Sequence, residues 1–300
     1  MSLAAVFGPD VEILHRSPNL FASTSKSEVV TCRLGDGRTV RLMCKYAAGP
    51  KHLAFGHRSG VAYEGRVYRE ILVPLPVSKP ILFGRFENPE TREPWLALEV
   101  VEGAVLADSA PDPGRSMELS AEWIGRFHYL AGDCKAEFLS CYDRDYYSQW
   151  AERTSLLAAQ WHSRLPWLGD LCERAQDAMA SIVALPATVI HGEYTPHNIL
   201  IRGNEVFPID WESAALGLAE IDLVCLIDKW PDDIAARCIR AYAEARFSNG
   251  PPSDWSSTLD LARLYWDFRW LGDRPEWTAS EKVGPRFEHL RHAAQRLGLL

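Results

Sequence analysis

The chain has no Gly-x-x-x-x-Gly-Lys-Ser/Thr run, which argues against a P-loop NTPase, and no Gly-x-Gly-x-x-Gly run either. It has no Cys-x-x-Cys pair, and its cysteines number seven, an odd count. Both facts disfavour a disulfide framework or a zinc site and suit a reducing compartment. Basic charge is scarce: 32 Lys and Arg stand against 40 Asp and Glu, a net charge of −8. That balance argues against a general nucleic-acid binder, which needs clustered cations. It is compatible with a cationic small-molecule partner. No apolar run approaches the roughly twenty residues that span a bilayer. The best stretch, Trp95 to Ala107, is broken by Glu99 and Glu102. The first residues, Met1 to Pro9, lack the basic start and apolar core of a signal peptide. A cytoplasmic protein that engages neither nucleic acid nor membrane is the expectation.

What remains is an ordinary globular composition, 47% apolar and 24% charged, over 300 residues. That length exceeds one compact core, so two lobes are expected. Residues 11–46 read as strands, with Gly35-Asp36-Gly37 as a turn in a hairpin. In the second strand of that hairpin Val40, Leu42 and Cys44 share one face, and Arg41, Met43 and Lys45 the other. Residues 60–73 have helical periodicity, stopped by Pro74 and Pro76. Residues 81–86 and 94–101 read as further strands. Helical patterns then cover 116–130, 146–164 and 168–185, and short strands cover 187–191, 198–201 and 205–209. Helices resume at 221–230, 234–247, 255–271 and 281–297. The predicted class is α+β: a small β-rich N-terminal lobe, residues 1–101, and a large, mainly helical lobe, residues 102–300, with an inserted hairpin.

The chemistry concentrates in His191-Gly192-Glu193-Tyr194-Thr195-Pro196-His197-Asn198-Ile199-Leu200 and Phe207-Pro208-Ile209-Asp210-Trp211-Glu212. An acid comes two residues after a His, an Asn five after the acid, and an Asp twelve after the Asn. Protein kinases use that order for an acid on the acceptor hydroxyl, an Asn on one Mg²⁺, and an Asp on the metals. A turn between short strands brings positions twelve apart back together, and Mg²⁺ takes one or two protein oxygens plus phosphates, so Asn198 and Asp210 are its candidate ligands. The segment resembles the aminoglycoside phosphotransferase family, with its choline-kinase-like relatives, within the protein-kinase-like superfamily. That family's loop usually reads His-Gly-Asp-x-x-x-x-Asn, with the metal Asp in Ile-Asp-Trp/Phe-Glu. This chain departs from it at Glu193. The extra methylene moves the carboxylate by about 1.5 Å on a fixed backbone, and a misplacement of about 1 Å can cost on the order of a hundredfold in rate.

The resemblance implies further roles. Lys45 stands where the family's third strand places a lysine on the phosphates. Glu64 in the following helix is its expected partner, with Glu70 as the alternative. Ser23, Thr24 and Ser25 lie in the loop that would cover phosphates. The backbone of Glu99 and Val101 resembles the hinge that bonds adenine. Asp222 resembles an Asp that supports the catalytic loop, and Phe127-His128 fits a helix motif without chemistry of its own. His191 is expected to pack the loop, and His197 to face solvent or substrate.

The expected activity is an ATP- and Mg²⁺-dependent transfer of the γ-phosphate to a hydroxyl of a small molecule, aminoglycoside-like, amino-alcohol or other natural product. GTP stays open as a donor. The rival prompted by Glu193 is a non-catalytic, nucleotide-binding kinase-like protein. A protein kinase is disfavoured because no Ala-Pro-Glu activation segment follows Asp210. For the acceptor, Trp255, Trp266, Trp270 and Trp277, with Tyr265 and Phe268 between them, form either a core stripe or an aromatic wall for a ring or quaternary ammonium. Asp228, Asp232, Asp233, Asp267, Asp273 and Glu276 are the acids that would meet an amine.

Overall fold

The computed structural model describes residues 3–19, 26–47, 59–88, 90–132, 134, 136–273 and 284–300. By packing, the chain divides into two compact units, Met1–Ser116 with Pro196–Ser213, and Met117–Thr195 with Ala214–Leu300. The chain opens with α1 (Ala4–Phe7), β1 (Glu12–Pro18), β2 (Lys26–Arg33), β3 (Thr39–Tyr46), α2 (Gly60–Val67), β4 (Leu82–Glu87), β5 (Pro94–Glu99) and β6 (Val105–Leu106). It continues as α3 (Pro113–Leu130), β7 (Ser140–Cys141), α4 (Arg144–Trp161), α5 (Trp167–Ser181) and β8 (Ala187–Ile190). It returns to the first unit as the hairpin β9 (Ile199–Arg202) and β10 (Glu205–Pro208). It ends with β11 (Ala215–Leu218), α6 (Glu220–Ile227), α7 (Asp232–Arg246), α8 (Trp255–Asp273) and α9 (Gly284–Arg296).

In the first unit β1-β2-β3-β5-β4 form an antiparallel sheet with β3 at its centre. The β2–β3 turn closes through Gly37, whose φ of +84° suits a residue without a Cβ. One sheet face buries Val30, Cys32, Leu42, Cys44, Phe86 and Ala97. Strand alternation therefore sends Lys45 to the opposite face. There α2 lies close against β4 and β5. A Cβ at Gly65 would come within 3.0 Å of Arg85 Cδ and 3.3 Å of Leu96 Cδ1. The helix expected over 60–73 is α-helical only to Val67; Tyr68–Leu72 form a π turn, with the Val73 N–H donating to the Tyr68 carbonyl at 2.9 Å. The wider turn keeps Tyr68, Ile71 and Leu72 buried together before the prolines end the helix. A second small sheet, β10-β9-β6, belongs to the same unit, so Val105 and Leu106, beyond the expected boundary at residue 101, pair with Ile201 and Leu200.

The second unit is mainly helical around a short mixed sheet, β7-β11-β8. α8 packs against α4, α6 and α9. Its apolar residues are buried more completely than an amphipathic surface helix requires: Leu264, Tyr265, Phe268 and Leu271 are fully enclosed. α4 starts at an Asp143 cap that accepts from the Tyr146 N–H at 2.8 Å. Among the described residues no helix is long and apolar enough to cross a membrane.

Candidate functional site

In the first unit the residues expected to hold the phosphate donor converge on one ammonium. Lys45 Nζ lies 2.6 Å from Glu64 Oε2 and 2.7 Å from Asp210 Oδ1. Three separate elements deliver these groups: the central strand β3, helix α2, and the segment after the β9–β10 hairpin. Glu64 is fully buried, Lys45 is 14% exposed and Asp210 25%. Burial alone would lower the Lys45 pKa, but Asp210 and Glu64 outweigh it and hold the ammonium charged well above its ordinary range. The Glu64 pKa is raised as well. Burial raises its pKa, opposed by Lys45 and reinforced by Asp210. Its second oxygen, Oε1, accepts the Trp211 N–H at 3.3 Å, so one carboxylate ties the lysine to the residue after Asp210. Glu70, the alternative partner, is taken by Arg66 and Arg69.

The hairpin register explains how positions twelve apart in sequence meet. Pro208 pairs with Ile199, and the Ile209 N–H donates to the Asn198 carbonyl at 2.9 Å. Asn198 thus sits opposite Ile209, next to Asp210. Asp210 adopts φ +67°, a left-handed conformation that Asp tolerates better than most residues and that is held only where the surroundings demand it. The donor set suits a hard divalent cation: an amide oxygen and a carboxylate, the latter already within 2.7 Å of a positive charge. Among the described residues no group of three or more His, Cys, Asp or Glu gathers as a metal site. A cation held by Asn198 and Asp210 would therefore complete its shell with phosphate oxygens and water.

At the end of β5 the Glu99 N–H is bound to the Ile81 carbonyl at 2.9 Å, and the Val101 carbonyl accepts the Ala104 N–H at 3.2 Å. The Glu99 carboxylate also accepts the Ile81 N–H, at 3.0 Å. Ser23, Thr24 and Ser25 lie outside the described residues, as do Glu276 and Trp277.

In the second unit the loop carrying Glu193 is built on Asp222. This fully buried carboxylate accepts the His191 N–H at 2.7 Å and the Gly192 N–H at 2.9 Å, and lies 3.1 Å from His128 Nε2. Burial lowers the His128 pKa against the opposing pull of Asp222. The imidazole is therefore neutral, donating from Nε2 to Asp222, with Nδ1 3.1 Å from the Tyr242 hydroxyl. His191 is buried and its Nδ1 accepts the Glu193 N–H at 3.3 Å, a packing role. His197, in the first unit, is exposed, with Nδ1 3.0 Å from Asp108.

One residue that sequence reasoning missed touches Glu193 directly. Arg269 on α8 donates from Nη2 to Glu193 Oε1 at 2.8 Å and from Nη1 to the Gly192 carbonyl at 3.1 Å. Its guanidinium lies 5.0 Å from the centre of the Trp266 ring. The i,i+3 spacing of Trp266 and Arg269 was a usable signal for that stacking, but nothing local in the sequence pointed to Glu193.

The acceptor candidates are largely committed to the protein itself. Tyr265 and Phe268 are core residues. Trp255 donates from Nε1 to Glu220 at 2.8 Å. Trp266 faces Arg269, and Trp270 carries Arg286 at 4.8 Å and Lys229 at 5.2 Å. Asp267 and Asp228 both bind Arg286, at 2.7 and 2.6 Å. Asp232 and Asp233 are exposed at the start of α7. The core stripe, rather than an open aromatic wall, describes α8.

Comparison with known proteins bears on the family and the fold. The model of the phosphotransferase enzyme family matches residues 59–273. No curated protein sequence matches the chain. Among solved structures, a choline/ethanolamine kinase family protein from Mesorhizobium loti is similar at 16% identity and TM-score 0.58, over 100% of this chain and 90% of that one. A macrolide 2'-phosphotransferase from Brachybacterium faecium is similar at 19% identity and TM-score 0.59, over 97% and 94%. An amicoumacin kinase in complex with AMP-PNP, Ca²⁺ and Ami is similar at 11% identity and TM-score 0.59, over 98% and 90%. At these identities the likeness shows the fold, which is protein-kinase-like, while the family match covers most of the chain. The chain belongs to the phosphotransferase enzyme family, the aminoglycoside-phosphotransferase and choline-kinase-like group of small-molecule kinases.

Proposed function

We propose that this protein transfers the γ-phosphoryl group of ATP to a hydroxyl of a small molecule, with Mg²⁺ as the metal. The observation that carries the reading is the Lys45 ammonium held at 2.6 Å from Glu64 and 2.7 Å from Asp210. Phosphoryl transfer asks little covalent chemistry of the protein; it asks for charge placed where the transferring oxygens lie. Lys45, kept charged and fixed by Glu64, bonds the donor phosphates. Asp210 and Asn198 hold Mg²⁺, which neutralises charge on the phosphate oxygens. The Glu99 carbonyl and the Val101 N–H are the backbone groups suited to the adenine edge, since the other group of each residue is already bonded. Glu193 accepts a hydrogen bond from the acceptor hydroxyl, orients its oxygen for in-line attack and takes its proton.

The domain reading follows: residues 1–101 serve mainly the nucleotide and residues 102–300 carry the catalytic loop and the acceptor. The neighbour that binds AMP-PNP supports an adenine nucleotide as donor. The test is turnover with Mg-ATP, and in parallel Mg-GTP, against aminoglycosides, choline, ethanolamine and macrolides, followed by ADP release and phosphorus NMR of the product. Phosphate appearing on an acceptor hydroxyl supports the reading. Binding of Mg-ATP with no transfer to any acceptor would overturn it in favour of a non-catalytic nucleotide-binding protein.

A further inference from the structure

The chain carries Glu193 where the family it resembles usually has Asp, and in the second unit that acid meets a buried arginine. Arg269 is buried, with 5% of its side chain exposed, and it faces a carboxylate only 14% exposed. A buried guanidinium costs several kcal/mol of desolvation, so it persists where it is paired and bonded in good geometry. Here it makes two bonds with distinct jobs. One reaches the Glu193 side chain, and the other reaches the carbonyl of Gly192, the residue just before it. The acid is thereby tied back to its own backbone loop, and that loop is pinned from the other side by Asp222.

The guanidinium itself has little freedom. It lies over the Trp266 ring at 5.0 Å, and its surroundings include Tyr142, Tyr146 and Tyr265. Those phenols form a rigid packed set: Tyr142 stacks on Tyr146 at 3.8 Å, and the Tyr146 and Tyr265 hydroxyls lie 3.1 Å apart. An arginine fork presented from such a wall is pre-organised, whereas a flexible lysine is not.

We propose that Arg269 is the positioning residue for Glu193: its two-pronged grip draws in the longer acid and sets the carboxylate for the acceptor hydroxyl. This rests on the phosphotransferase reading above. Glu193 and Arg269 are a length-matched pair. An Asp at 193, although the usual residue of the family, falls about 1.5 Å short of the guanidinium on the same backbone, and a misplacement near 1 Å costs on the order of a hundredfold.

The experiment is a double-mutant cycle on the full chain: native, Glu193→Asp, Arg269→Gln and the double variant, with Arg269→Lys as the conservative change. Each is assayed for transfer from Mg-ATP to the acceptor panel above, and each is checked for Mg-ATP affinity and thermal midpoint. Glu193→Asp and Arg269→Gln are each expected to lower kcat about ten- to a hundredfold, with KM for Mg-ATP within about threefold. The double variant is expected to be no worse than either single, because both remove one interaction. Arg269→Lys is expected to recover only part of the rate. A purely structural arginine would instead lower Mg-ATP affinity together with kcat in all Arg269 variants, and its effect would multiply with that of Glu193→Asp. That result, or a Glu193→Asp variant as active as the native chain, would overturn the proposal while leaving the phosphotransferase reading intact. A native chain that transfers phosphate to no acceptor would overturn that reading, and this role with it.

Discussion

The ammonium of Lys45 lies 2.7 Å from the carboxylate of Asp210, a residue 165 positions away in sequence. Glu64 completes the arrangement and cannot hold its charge alone, since it is fully buried. Removing one partner of a buried ion pair costs roughly 3–5 kcal/mol, because the other is left uncompensated. Lys45→Met is therefore expected to destabilise the chain by about that amount and to abolish transfer. The check is denaturant unfolding with a kinetic assay. If the stability of Lys45→Met matched the native value, the ammonium would not be compensating Glu64.

Asp210→Asn separates metal binding from folding. The amide keeps the shape but supplies no charge for a divalent cation. The variant is expected to fold, to need far more Mg²⁺, and to lose on the order of a hundredfold or more in kcat, in line with the loss of an electrostatic group at a reacting centre. A chelator is expected to bring the native chain to the same level. Titrating Mg²⁺ against rate measures both, and an Asp210→Asn curve superimposed on the native one would contradict the assignment.

Asp222 makes a prediction about order in the catalytic loop. Its carboxylate accepts the His191 and Gly192 N–H groups and faces His128. Each buried donor left without a partner costs about 1–3 kcal/mol. Asp222→Ala is expected to lose several kcal/mol and to lower kcat while leaving Mg-ATP affinity in place. Asp222→Asn, which keeps an accepting oxygen, is expected to lose less. Equal losses for the two variants would show that the loop does not depend on those bonds.

Asp267 makes stability depend on pH. Burial raises its pKa to about 7, only partly offset by Arg286, against an ordinary value of about 3.9 in the unfolded chain. Between those values the folded chain holds a proton that the unfolded chain has released. Raising the pH through this window therefore costs the folded state stability, on the order of 4 kcal/mol across the whole range. The thermal midpoint of the native chain, relative to Asp267→Asn, is expected to fall as pH rises from 5 to 8. A difference that stays flat across those values would refute it.

Much of the plan was legible because it rests on local signals. Alternation in β3 put Lys45 opposite Leu42 and Cys44. The helix expected over 60–73 carried both Glu64 and Glu70, between which the family resemblance favoured Glu64, and His191 to Asp210 carried its own order of acid, amide and acid. Helix and strand positions followed periodicity and turns closely, the π turn at Tyr68–Leu72 being a departure that a 3.6-residue period cannot reveal. The acceptor side was not legible. An aromatic stripe with acids between its members reads alike as core or as binding wall. The cations that settle it on α8 come from Lys229 and Arg286, distant in sequence. Arg269 was hidden for the same reason, since its meaning lies in a residue 76 positions away.

The amino-acid order by itself determined which groups this protein has for phosphoryl chemistry, because residue type and spacing along one strand, one helix and one hairpin are properties of neighbouring residues. Tertiary structure alone decided which charges meet. Coulombic and hydrogen-bond energies depend on separations of about 3 Å in a dry interior. Only packing brings β3, α2 and the post-hairpin segment to one ammonium, and α8 to the carboxylate of Glu193.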